Sequence, residues 1–204
     1  MDRIEHVVYI NLEHRTDRRK EIEAELVCFG DRAERFNAIR HATGGIGCSM
    51  SHLRVLERAK EAGWKNVLVV EDDFVWNRTE EGMACFERII QNPFDVILVS
   101  GAGIICSSGN RLVSAQTTTC YLVASHYYDT LIQNFKESIS GFVKTGHYPT
   151  YALDQYWKRL QSRDQWYIVT PILGIQRPSY SDIEHKFSDY RALFMRPPKA
   201  APSQ

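Results

Sequence analysis

The segment Val67-Leu68-Val69-Val70-Glu71-Asp72-Asp73 constrains the fold more than any other stretch of the chain. Four consecutive apolar residues, three of them β-branched, show no polar alternation. Such a run reads as a strand covered on both faces, as in the middle of a mostly parallel sheet flanked by helices. Three acids follow without a gap. Ligands of open α/β sheets collect at the carboxyl ends of strands, and three carboxylates there repel one another unless a cation sits among them. Mg²⁺ or Mn²⁺ meets that need, because both prefer carboxylate oxygens and leave positions open for phosphate. Side chains alternate along a strand, so Glu71 and Asp73 are expected on one side and Asp72 on the other. Asp73, with Glu71, is therefore the first candidate for a metal ligand. A solvated acidic turn is the plainer alternative.

The rest of the chain fits an α/β frame. Strand patterns fall over 7–12, 34–38, 95–100, 117–123 and 166–169. A helical pattern falls over 16–28, Gly44-Gly45-Ile46-Gly47 reads as a loop that opens a second helix running to about Ala62, and further helical patterns fall over 80–91, 125–135 and 152–160. Thr16 is a plausible N-cap for the first helix, Gly63 ends the second, and Asn92-Pro93 stops the third. Residues 101–114 read as irregular hairpin material. The expectation is one α/β domain over 1–195 with a central mixed, mostly parallel sheet. The proline-rich 196–204 is expected to be a disordered tail.

Composition excludes some classes. The 204 residues carry 25 Lys+Arg against 25 Asp+Glu, a formal net charge of zero. A protein living on nucleic-acid backbones or anionic membranes would need a basic excess, so neither partner is expected. No apolar run approaches the roughly 20 residues that span a bilayer. The first residues lack an apolar signal region, so a cytoplasmic location is expected. Five cysteines without a CxxC pair read as free thiols rather than a disulfide frame or a zinc site.

Four further segments could carry chemistry. Asn11 through Arg19 holds Arg15, Arg18 and Arg19 where a strand passes into a helix, a place suited to anions. Gly44 through His52 is glycine-rich but matches neither phosphate-loop fingerprint. Its small residues, Gly47 and Ser51 among them, would allow close backbone approach to a ligand. His52 alone is more often a hydrogen-bonded histidine than a catalytic one. Asp154 opens a helix with aromatic neighbours and is a candidate general base, or simply an acid favoured by the helix dipole. His185, in the late segment 179–185, could give a metal a nitrogen ligand or lie in a loop.

The triplet strand, with Asp95-Val96-Ile97-Leu98-Val99, also looks like parts of a response-regulator receiver domain. Ser100 stands where the phosphoacceptor aspartate would be, and the span 74–94 is too short for the helix–strand–helix required there.

Taken in order, another set of segments resembles glycosyltransferase family 25, which includes lipooligosaccharide transferases and collagen galactosyltransferases. These are Val8-Tyr9-Ile10-Asn11-Leu12 with Arg15, Arg18 and Arg19, Arg35-Phe36-Asn37-Ala38, Ile46 through His52, Val67 through Asp73, Thr118 through Ser125, Leu153-Asp154-Gln155-Tyr156, and Ser181-Asp182-Ile183. The resemblance spans roughly 6 to 184. It implies a GT-A fold and an inverting, Mn²⁺-dependent (or Mg²⁺-dependent) transfer of a hexose, galactose or glucose. The donor would be a UDP-sugar and the acceptor a hydroxyl on a glycan or glycoprotein. Under it Asp73, with Glu71 or Asp72, holds the metal; His185 stays a further candidate ligand from its own chemistry. Asn11, Arg15 and Ala38 line the nucleotide pocket, joined by Arg18, Gly47, Ser51, His52 and Asp72. Asp154 takes the acceptor proton. The chain departs from the family at Ser49, where a smaller residue is usual, and in its short 101–114 hairpin. A non-catalytic nucleotide- or partner-binding domain of the same fold is the rival reading.

Overall fold

The computed structural model describes residues 1–201. Thirteen strands and eight α-helices follow one another along it. Six strands build the central sheet: β1 (His6–Asn11), β2 (Ala33–Asn37), β3 (Asn66–Glu71), β5 (Val96–Leu98), β8 (Cys120–Ala124) and β9 (Trp166–Ile168). Their order is β2-β1-β3-β8-β5-β9. β1 runs parallel to β2 and β3, and β5 parallel to β9. β8 lies antiparallel between β3 and β5. The sheet is thus mixed and mostly parallel. The antiparallel β8 also removes the receiver reading, since that doubly wound fold needs an all-parallel sheet.

Strand alternation splits the core in two. Val8, Ile10, Val67, Val69, Tyr121 and Val123 face α2 (Gly44–Glu61) and α4 (Tyr128–Thr145), packing on Val55, Leu56, Leu131 and Phe135. Val7, Tyr9, Leu68, Val70 and Leu122 face α1 (Thr16–Glu25) and α3 (Glu80–Ile89), packing on Ile22, Phe86 and Ile89. Val67 through Val70 are 0% exposed, as a run without alternation requires. Each such side chain contributes about 1.5–3 kcal/mol on burial. α3 is held at its start by Thr79, whose hydroxyl accepts from Gly82 N at 3.1 Å. Thr16 does not cap α1. It is the first helical residue, and Arg15 stands at the cap without a side-chain bond.

Smaller elements surround the carboxyl edge of β1 and β3. β4 (Phe74–Trp76) follows the triplet and pairs antiparallel with β10 (Gly174–Gln176). Gly174 has to be glycine there, because a Cβ would fall 1.9 Å from the Phe74 ring. β11 (Ser179–Ser181) and β12 (Lys186–Ser188) form a hairpin. β6 (Ala102–Cys106) and β7 (Leu112–Gln116) pair antiparallel with irregular register. The expected helix over 152–160 is instead two short pieces, α6 (Leu153–Tyr156) and α7 (Lys158–Gln161), preceded by α5 (Tyr148–Tyr151), and α8 (Arg191–Phe194) comes last. Within the tail expected to be disordered, β13 (Lys199–Ala200) pairs in parallel with β6. Residues 202–204 lie outside the described residues. Among the described residues no helix is long and apolar enough to cross a membrane.

Candidate active site

β3 ends at Glu71, and Asp72-Asp73 form a turn before β4. The alternation expected to place Asp72 apart from Glu71 and Asp73 therefore stops at Glu71. Glu71 points to the α2 side, where Oε1 accepts from Thr118 Oγ1 at 2.6 Å and lies 3.3 Å from His52 Nε2. Its Oε2 accepts from Gln176 Nε2 at 3.2 Å. Burial disfavours its charge, but these donors outweigh burial and hold it below the ordinary range. Asp72 turns toward α1, accepting from Arg18 Nη1 at 2.8 Å and from Asn11 Nδ2 at 2.8 Å. Burial raises its pKa against both partners. Asp73 shares the same Arg18 Nη1 at 3.4 Å. Its Oδ1 is buried without any hydrogen-bond partner. Burial and the charges of Glu71 and Asp72 push the Asp73 carboxyl up to about 8, against the pull of Arg18.

The basic segment's guanidinium groups are mostly taken up by protein partners, with Arg18 Nε left buried and unpartnered. Arg15 donates to Asp17, to Asp182 and to the Tyr180 carbonyl, and Arg18 Nη2 donates to Ser179 Oγ and the Tyr180 carbonyl. Both strap the β11–β12 hairpin to the start of α1. Arg15 and Asn11, expected to line the pocket, lie behind its wall. Asn11 is 1% exposed, and its amide joins Asp72 to Arg35, whose Nε donates to Asn11 Oδ1 at 3.0 Å. Burial and these hydrogen bonds hold the Asn11 amide within the protein.

The glycine-rich segment is helical from Gly44 onward rather than a loop. Gly47 does allow close backbone approach, but the partner is the chain itself. A Cβ there would lie 2.5 Å from the Ile39 carbonyl oxygen. Ser51 Oγ accepts from Ile39 N at 2.8 Å and donates to the Gly47 carbonyl at 2.8 Å. Gly47 and Ser51 thus fix the 38–41 loop, which carries Ala38 on the wall of the cleft. His52 is fully buried, with Nδ1 2.9 Å from the Tyr121 hydroxyl.

These walls enclose a cleft of about 680 Å³, within the range of small-molecule sites. Arg18, Ala38, Ser51, His52, the three acids, Asp154 and His185 line it, and Asn11, Arg15 and Gly47 do not. Asp154 sits at the start of α6, where Thr117 N donates to Oδ2 at 3.0 Å. Burial raises its pKa, against the Thr117 hydrogen bond and the charge of Lys158. Sequence reasoning missed Gln116, Thr118, Gln176 and Arg177. Only their place in the fold reveals them, since the β7–β8 connection and the end of β10 converge on the triplet from distant parts of the chain.

The three expected metal ligands are not gathered. His185 lines the cleft from the exposed hairpin, but Asp73, Glu71 and His185 do not bring their ligating atoms within 4.8 Å of one another. Among the described residues the group that does is Cys48, His52 and Glu71. Asp73 nevertheless suits a hard divalent cation. It offers an orphaned buried oxygen, beside two more carboxylates with one shared guanidinium among them.

No protein-family model matches the chain, and no curated protein matches it in sequence. Solved structures do resemble its fold. A glycosyltransferase involved in the glycosylation of the major capsid of PBCV-1 aligns with TM-score 0.56 at 10% identity, over 88% of this chain and 95% of that one. The fold is GT-A-like. A197 from STIV aligns with TM-score 0.51, also at 10% identity, over 98% of this chain and 99% of that one. Identity this low speaks for the fold alone.

Proposed function

We propose that the protein is a metal-dependent, inverting hexosyltransferase of the family 25 type. It moves galactose or glucose from a UDP-sugar to a hydroxyl on a glycan or glycoprotein. The observation that carries this reading is the unpartnered, buried Asp73 oxygen in a cleft that also presents Asp154. Mn²⁺ or Mg²⁺ held by Asp73, with Asp72 beside it, would supply neutralising charge for the leaving diphosphate.

The chain's own groups have distinct tasks. Arg18, held by Ser179 Oγ and the Tyr180 carbonyl, fixes Asp72 and Asp73 relative to each other. Asn11 holds the second oxygen of Asp72. Gly47 and Ser51 keep the 38–41 loop in place, so that Ala38 leaves room for the nucleobase. Asp154, oriented by Thr117 N, takes the proton of the acceptor hydroxyl as that oxygen attacks the anomeric carbon and the bond to the diphosphate breaks. Such a base contributes about 10²- to 10⁴-fold in rate. The raised Asp154 pKa makes it a better proton acceptor than an ordinary aspartate.

A thermal-shift panel of UDP-galactose, UDP-glucose and other nucleotide sugars, each with Mn²⁺, tests this reading. A ligand that binds the native state raises its melting temperature. The expected result is stabilisation by UDP-sugars that disappears with chelator. A flat panel would remove the proposal.

A further inference from the structure

Cys48 and His52 stand four residues apart on α2, so their side chains share one helix face. Glu71 meets them from the end of β3. Cys48 Sγ, a His52 ring nitrogen and a Glu71 oxygen all lie within 4.8 Å of one another. This is a sulfur–nitrogen–oxygen set, unlike the all-oxygen surroundings of Asp73. Borderline-soft cations select such sets, with Zn²⁺ foremost, whereas Mg²⁺ and Mn²⁺ favour oxygen alone.

Two further features suit an ion there. His52 has its other nitrogen, Nδ1, 2.9 Å from the Tyr121 hydroxyl, and the ring stacks on Tyr121 with centroids 5.7 Å apart. Metal-binding histidines are commonly oriented through such a contact on the second nitrogen. Cys48 also lines the cleft, which gives an entry path and room for a fourth ligand.

We propose that Cys48, His52 and Glu71 form a second, zinc-selective site in the cleft wall, separate from the Asp73 site. Three protein ligands and one open position make an exchangeable tetrahedral site. Without zinc, the 3.3 Å His52–Glu71 contact holds the set together. On binding, the Cys48 thiol gives its proton to solvent and the thiolate, imidazole and carboxylate bind the ion. Glu71 would then leave Thr118 or Gln176, which ties occupancy to the shape of the triplet. The site stands on its own geometry and holds or fails independently of the glycosyltransferase reading.

The test uses the full chain stripped of metal and loaded with one equivalent of zinc in excess Mg²⁺. X-ray absorption on the wild-type protein is expected to show one sulfur at about 2.3 Å with nitrogen and oxygen at about 2.0 Å. Zinc bound only by nitrogen and oxygen, or by two or more sulfurs, would overturn the proposal. So would failure to retain zinc after desalting. Zinc affinity, measured against a chromophoric chelator, should fall at least about tenfold in Cys48→Ser, the low end of what losing even an outer partner costs. It should hold in Asp73→Asn. A folded Cys48→Ser that binds zinc as tightly as wild type overturns the site. If that variant does not fold, the wild-type absorption spectrum decides alone.

Discussion

Replacing Asp73 by asparagine should make the metal-free protein more stable while removing its response to Mn²⁺. The carboxyl sits at about 8 in the fold against an ordinary value of 3.8. Because the folded value is the raised one, the native state holds this proton more tightly than the unfolded chain does. Stability therefore falls as pH rises from about 4 to about 8 and levels off above that. At about 1.4 kcal/mol per unit, the ceiling at pH 7 is about 4 kcal/mol. Asparagine keeps the shape and drops the charge, but weakens the 3.4 Å contact with Arg18. A net gain of about 1–3 kcal/mol is expected, at about 2–4 °C of melting temperature per kcal/mol for a chain of this size. The assay is thermal melting of both proteins in chelator at pH 5 and pH 8, then in excess Mn²⁺. The advantage of Asp73→Asn should be larger at pH 8. Mn²⁺ at about 100 times its Kd should add about 2.7 kcal/mol to wild type and nothing to the variant. An Asp73→Asn protein no more stable than wild type at pH 8, or equal Mn²⁺ stabilisation of both, would refute the reasoning.

Asp154→Asn should lower kcat by about 10²- to 10⁴-fold with little change in donor KM. The acid limb of the wild-type kcat/KM profile should lie above the ordinary aspartate value, because the base must lose a proton that burial makes it hold; a limb at or below that value contradicts the assignment. Ser51→Ala leaves Ile39 N without its partner in a partly buried place, so it should cost about 1 kcal/mol in urea unfolding and raise donor KM by loosening the 38–41 loop. Gly174→Ala forces a Cβ into the Phe74 ring and should destabilise by about 1–3 kcal/mol, read from the same melts.

The sheet was legible because its strands are nearly pure apolar runs. Val67–Val70, Val96–Leu98 and Trp166–Ile168 announce themselves by composition, and burial on both faces follows for the first two, while Tyr167 of the edge strand β9 is half-buried. The direction of β8 was not legible, since an apolar run carries no sign of parallel or antiparallel pairing. Gly44–Gly47 read as a loop because glycine is a poor helix former. Packing of α2 against the 38–41 loop and α4 decides otherwise, and at Gly47 the small residue is what that packing requires. Arg15 looked like a phosphate ligand because guanidinium suits phosphate. Nothing in the local sequence shows that Asp182, far along the chain, takes it up. The triplet was visible as a charge cluster, but its division of labour depends on long-range partners. Glu71 is held by His52, Thr118 and Gln176, Asp72 by Asn11 and Arg18, and Asp73 is left with an unpaired oxygen.

Under the proposed function, this cleft uses Asp73 and a divalent cation to release UDP from a nucleotide sugar. Release of UDP from UDP-galactose and UDP-glucose, with Mn²⁺ present or chelated, measures this most directly for wild type, Asp73→Asn and Asp154→Asn. The expected result is turnover in the wild type with at least one donor, lost with chelator and in Asp73→Asn and strongly reduced in Asp154→Asn. No UDP release from either donor, or equal release from the wild type and Asp73→Asn, would contradict it.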